Sequence, residues 1–143
     1  MVSVNDIMLC IGVTHSPELG VTAHAITDVL RPRDVKTPFN FASIIPIKGV
    51  EPGKEYKLKV RIIDPEMEEI ACTEGMLPPK PVNGVPMEYQ CIQCAITWQG
   101  IVLNSSGVFT MQVFIDDEML KVHEIYVAEA PQQPVNPNEM KAN

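Results

Sequence analysis

Tyr56-Lys57-Leu58-Lys59-Val60-Arg61-Ile62 alternates apolar and cationic residues without a break. An extended strand sends successive side chains to opposite faces, so Tyr56, Leu58, Val60 and Ile62 share one side and Lys57, Lys59 and Arg61 the other. One side is expected to be core and the other wet, as in an antiparallel sheet packed on a single face. Asp64-Pro65-Glu66 follows and reads as a type I turn with proline second. Met67 to Thr73 is expected to return as the hairpin partner.

The same period recurs on either side. Downstream, Phe109, Met111, Val113 and Ile115 alternate inward, the acidic corner Asp116 to Glu118 reverses the chain, and Leu120 to Val127 closes a hairpin. Leu120, Val122 and Tyr126 share a face with Glu124, so alternation alone leaves the buried face of that strand open. Glu88 to Val102 reads as a strand with Ile92, Cys94, Ile96 and Trp98 on one face and Cys91, Gln93, Ala95 and Thr97 on the other; Asn104 to Gly107 then turns the chain. Between it and Thr73, the stretch Glu74 to Pro86 holds four prolines and two glycines and reads as a long loop.

Upstream, Val4 to Val13 is nearly all apolar and is expected to be covered on both faces. Thr14 to Gly20 reads as a loop and Val21 to Leu30 as a second strand. Pro32, Asp34 and Pro38 mark a connection, and Phe39 to Ile47 is a third strand with Pro46 near its end. Helical periodicity is absent throughout, and thirteen prolines fit strand edges and loops better than helices. The expected fold is an all-β, antiparallel two-sheet β-sandwich of about seven to nine strands. It would occupy residues 1–128, with 129–143 as a tail rich in Pro, Asn and Gln that cannot bury enough apolar surface to order itself.

Composition bounds the function. With 143 residues, 45% hydrophobic and 20% charged, the chain suits one self-sufficient domain. A net charge of −7 argues against non-specific nucleic-acid binding, which draws its affinity from cations that neutralise phosphates. The cations nevertheless cluster: between Arg31 and Arg61, eight stand against three carboxylates. Ile7 to Val13 is too short to span a bilayer, and Asp6 stands where a secretory signal would carry a cation. Four cysteines without such a signal read as reduced thiols, which places the chain in the cytoplasm.

A set of motifs carries a resemblance. An apolar opening strand reaches Cys10 and Gly12, followed by the stretch Ile26 to Pro38. Pro52-Gly53-Lys54-Glu55-Tyr56 then feeds the alternating strand into Asp64-Pro65-Glu66. Ser106-Gly107-Val108-Phe109 precedes the strand and acidic turn of Val113 to Leu120. In this order, from about Asn5 to Val127, the chain resembles a family of small bacterial β-sandwich proteins of unknown function. The resemblance implies the fold and adds no activity. The long proline loop before Glu88 and the Cys91/Cys94 pair depart from that pattern.

Few residues suggest chemistry. Cys91-Ile92-Gln93-Cys94 has zinc or redox spacing, but residues three apart in a strand project to opposite faces, and a second ligand pair is missing. His15, His24 and His123 are far apart in sequence and lack a ligand or triad pattern. Asp64, Glu66, Glu68 and Glu69, and likewise Asp116, Asp117 and Glu118, read as solvated turns without the glycine spacing of a calcium loop. No metal or cofactor is therefore expected. Lys57, Lys59 and Arg61 form the strongest local pattern, paired with carboxylates on the return strand such as Glu66 and Glu68, or bound to an acidic partner. Phe114 and Gln112 fall on the outer face, where an apolar patch around Phe114 would mark a subunit interface.

These features point to a non-catalytic interaction or ligand-binding module, its partner a protein or an anionic ligand rather than nucleic acid or membrane. The contact surface would be Lys57, Lys59 and Arg61 or the loop end at Glu74 to Pro86. The alternative is a homo-oligomer or assembly component with sheet edges or the tail packed against neighbours. An enzyme would need Cys91 or Cys72 to converge with a histidine, or paired carboxylates in a cleft.

Overall fold

The computed structural model describes residues 1–18, 20–51, 53–77 and 91–130. Those residues form ten strands: β1 (Ser3–Val4), β2 (Met8–Ser16), β3 (Gly20–Thr27), β4 (Val29–Leu30), β5 (Phe39–Lys48), β6 (Tyr56–Ile63), β7 (Glu69–Leu77), β8 (Cys91–Ile101), β9 (Gly107–Ile115) and β10 (Glu118–Val127). They make two five-stranded sheets. In the first, β5 pairs with β8 on one side and with β1 and β2 in turn on the other, and β3 lies beyond β2. The second runs β4-β10-β9-β6-β7. The architecture is the expected all-β sandwich, with one strand more than the expected seven to nine because two short ones, β1 and β4, flank the sheets.

The deciding stretch behaves as its alternation demands. Tyr56, Leu58, Val60 and Ile62 are 6% exposed or less and meet Phe109, Met111, Val113 and Ile115 of the neighbouring strand in one core. The opposing sheet contributes Phe41, Ile45, Ile47 and Trp98. Ser43 is the one buried polar residue among those described, and its Oγ accepts a hydrogen bond from Trp98 Nε1 at 3.1 Å. That bond removes the cost of burying the indole N–H.

Turn chemistry sets the register. The Asp64 carboxylate accepts from the Glu66 and Glu68 amides, Met67 N–H donates to the Asp64 carbonyl, and Met67 takes φ 69°, so the β6–β7 turn is stabilised by its own first residue. Between β9 and β10 only Asp116 and Asp117 intervene, both with positive φ (49° and 66°), as a two-residue hairpin turn of the right twist requires. At Gly49, φ is +82° and a Cβ would run into the Met1 carbonyl, so only glycine fits.

Several boundaries differ from expectation. Val4 to Val13 is two strands, and only Leu9 and Cys10 of β2 are buried, while Met8 and Ile11 are 40% and 48% exposed. Most of the Thr14 to Gly20 loop is strand, since β2 and β3 pair out to Ser16 and Gly20. Val21 to Leu30 is not one strand either. Thr27 Oγ1 bonds both the amide and the carbonyl of Val29, bending the chain at Asp28 so that β4 leaves for the other sheet. There it runs parallel to β10. β7 continues to Leu77 where a loop was expected from Glu74, because Glu74, Gly75, Met76 and Leu77 stay in register with β6. The rest of that loop, residues 78–90, lies outside the described residues, so the strand expected from Glu88 is described from Cys91.

At the other end, β10 carries a bulge between Met119 and Lys121. The extra residue shifts the alternation, so Lys121, His123, Ile125 and Val127 share the core side and Val122, Glu124 and Tyr126 the outer side. Beyond β10, Ala128 N–H donates to the Leu30 carbonyl and Ala130 N–H to that of Pro32. Glu129 Oε1 accepts from the Val35 amide at 3.3 Å, which ties the first tail residues to the sandwich. Residues 131–143 lie outside the described residues.

Candidate functional site

Beyond Cys10, β2 outruns its own sheet. Its pairing with β5 covers Met8 to Cys10, whereas its pairing with β3 runs from Leu9 to Ser16. The remainder is a two-stranded arm, and among its described residues from Ile11 to Thr27 none is buried. Ile11 is 48% and Ile26 64% exposed. Glu18 is its single charged residue. An isolated ribbon of two strands is marginal in water, so such an arm gains stability from whatever covers it. Thr14 Oγ1 and His24 Nε2 lie 2.5 Å apart across it, and Ala25 interrupts the extended backbone with φ 55°.

A groove of about 520 Å³ opens at the base of the arm, lined by Ile7, Met8 and Ile26 together with Asp6, Asp28 and His123. His123 reaches it because the β10 bulge turns it inward, opposite the fully buried Met111. Burial and, next, the Lys121 charge lower its pKa below the ordinary 6.5; Asp6 and Glu124 act the other way. Lys121 Nζ meets Asp6 Oδ1 at 3.1 Å, linking the β1–β2 connection to β10. The Asp6 side chain is fully exposed, so this link is a solvent-screened tether.

Lys57, Lys59 and Arg61 stand in a row on the outer face of β6, as alternation places them. Lys57 lies 3.8 Å from Glu74 and 4.0 Å from Asp117, and Lys59 lies 3.7 Å from Glu74. Arg61 Nε donates to Glu69 Oε1 at 2.7 Å and its Nη1 to Gln112 Oε1 at 3.4 Å. The pairing is on the return strand, but through Glu69 and Glu74 rather than Glu66 and Glu68, whose amides are bound into the turn around Asp64. Lys59 also sits 5.9 Å over the Phe114 ring. Phe114 is on the outer face as expected, directly opposite Met119, with exposed Val122 opposite the next outer-face residue, Gln112.

The chemical candidates stay apart. Cys94 packs against the core while Cys91 Sγ accepts from Gln93 Nε2 at 3.5 Å on the other face, so the two sulfurs do not converge. All four cysteines are free. Burial raises the pKa of Cys10, Cys72 and Cys94, which disfavours the nucleophilic thiolate. His15 and His24 are on the arm and His123 is on β10. Among the described residues no group of three His, Cys, Asp or Glu side chains could hold a metal, and no helix is long and apolar enough to cross a membrane. The arm and the inward turn of His123 were missed from sequence, where the only signal was the scarcity of charge between Ile7 and Thr27.

No curated protein matches the chain. Among solved structures it is similar to an immunoglobulin-like protein from Pseudomonas aeruginosa, at 16% identity over 90% of this chain and 97% of that one, with a TM-score of 0.42. Residues 35–128 match a family of unknown function, DUF6941. That stretch takes in every strand from β5 to β10 and leaves the arm outside it. It also includes the Cys91/Cys94 pair. By this match over more than half of its length, the chain is a member of that β-sandwich family of unknown function.

Proposed function

We propose that this chain is a non-catalytic interaction module, a single sandwich with a short tail, that presents the β2–β3 arm to a protein partner. One observation carries the reading: a two-stranded ribbon whose described residues are all at least partly exposed, with Ile11 and Ile26 open and Glu18 its lone charge. A surface of that kind is stabilised by apolar contact. Free cysteines support a reducing, cytoplasmic setting. The test is capture from native lysate with wild type and with Ile11→Lys/Ile26→Lys, both exposed positions that leave the core untouched. Loss of a specific captured protein supports the arm, and equal capture by both proteins refutes it.

Lys57, Lys59 and Arg61 remain a second contact surface for an acidic partner. Their in-chain pairs are exposed and individually weak, so incoming carboxylates can exchange with Glu74 and Glu69. Binding of this kind would fall steeply with added salt.

A further inference from the structure

Sheet edges show how a sandwich meets its neighbours, because an unpaired row of backbone N–H and C=O groups recruits another strand unless it is short, charged or kinked. Among the described residues, three of the four outermost strands carry such protection. β4 has two residues, β7 carries Glu69 and Glu74, and β3 is broken by the positive φ of Ala25. The fourth, β8, is free of such features from Cys91 to Trp98, and beyond that it is kinked by a bulge opposite Phe39 to Phe41, where Gly100 takes φ 67°. It runs eleven residues, Cys91–Ile101, without a charged side chain. Its register with β5 is unbroken from Cys91 to Trp98, and among the described residues it pairs with no other strand.

A second observation points to the same edge. On the core side, Ile45 and Ile47 of β5 are fully buried, but Ile92, Cys94 and Ile96 of β8 are only partly so. Among the described residues the core is therefore incompletely covered from Ile92 to Ile96, whereas Trp98 on the same face is buried, and a continuation of the sandwich would close that stretch.

We propose that a second copy of this chain pairs with the first, antiparallel, along β8. The charge balance selects that occupant. With a net charge of −7, two copies repel except where the contacting strip is neutral, and β8 is neutral over its whole length. A two-fold axis normal to the sheet keeps core faces aligned only in registers that set like faces opposite each other. With Ala95 on the axis, Gln93 lies opposite Thr97 of the partner subunit and Cys94 opposite Ile96 of the partner subunit. The exposed outer-face pairs are then polar and uncharged, and the core-face pairs are apolar. The interface does not depend on the arm being a contact surface.

Sedimentation equilibrium of the full chain tests this, with an expected mass of twice 15.9 kDa. Gln93→Lys/Thr97→Lys sets like charges opposite each other across the axis and is expected to weaken dimerisation at least tenfold. Gln93→Glu/Thr97→Lys sets opposite charges there and is expected to keep the dimer. Both positions are exposed, so circular dichroism should be unchanged. A wild type that stays monomeric at every concentration, as it would if residues 78–90 of the same chain covered β8, overturns the proposal. So does a dimer that is indifferent to the double lysine substitution, or one lost equally in the charge-paired variant.

Discussion

Asp116 clasps Lys57: the Asp116 amide donates to the Lys57 carbonyl at 2.9 Å, and the Lys57 amide donates to Asp116 Oδ1 at the same distance. One turn residue thereby ties the β9–β10 hairpin to the start of β6, the strand whose alternation organises the second sheet. Asp116 must also hold φ 49°. Asparagine keeps both the left-handed conformation and the acceptor, whereas alanine keeps neither easily. Asp116→Asn is expected to be near neutral and Asp116→Ala to cost about 1–2 kcal/mol in urea unfolding. Equal stability of the two variants would refute the clasp.

The Trp98–Ser43 bond predicts a non-additive pair. Ser43→Ala leaves a buried indole N–H without an acceptor, at a cost of about 1–3 kcal/mol. Trp98→Phe removes the donor but also volume, and adding Ser43→Ala to it should then cost much less than Ser43→Ala alone. The four-variant cycle measured by denaturant unfolding gives the coupling directly.

His123 predicts a pH dependence. Its folded-state pKa is lowered, so the unfolded chain binds this proton more readily than the folded one. Its contribution is intact above the ordinary 6.5 and is lost as pH falls from there through the folded value. His123→Gln should flatten the drop in melting temperature over that window while changing little at pH 8. A variant with the wild-type slope would place the titration elsewhere.

Thiol labelling separates the cysteines. Cys10, fully buried, and Cys94, packed against the core, should resist modification until unfolding, with burial also raising their pKa values. Cys72 is exposed and should react, but slowly, since burial and then the Glu69 charge raise its pKa against the opposing pull of Lys59 and Arg61. Glu69→Gln is expected to speed Cys72 labelling at pH 8. Labelling of Cys10 at the rate of a free thiol would contradict the core described above.

Alternation made the central hairpins legible. Tyr56 to Ile62 and Phe109 to Ile115 each place every second residue in the core, and a one-residue slip would have exposed the whole set. The row of Lys57, Lys59 and Arg61 was legible for the same reason, although its partners were not. Glu69 and Glu74 are chosen by the β6–β7 register, which depends on the turn at Asp64 and the bulge at Ile62 and Ile63. The last strand shows the limit most clearly. One extra residue near Leu120 reverses the side to which Lys121 and His123 point, and no local pattern announces a bulge.

The sequence by itself determined an all-β chain, the core faces of β6 and β9, the outward placement of the cations, and the separation of Cys91 from Cys94. Each of these follows from the two-residue period of an extended backbone, which is a local property. Only the tertiary structure decided which strands lie at the edges, that β4 crosses to the other sheet, that β2 and β3 continue as a two-stranded arm beyond the pairing with β5, and that His123 faces a groove. Those outcomes depend on pairing between segments far apart in the chain, and that pairing is fixed by how the two layers close around one core.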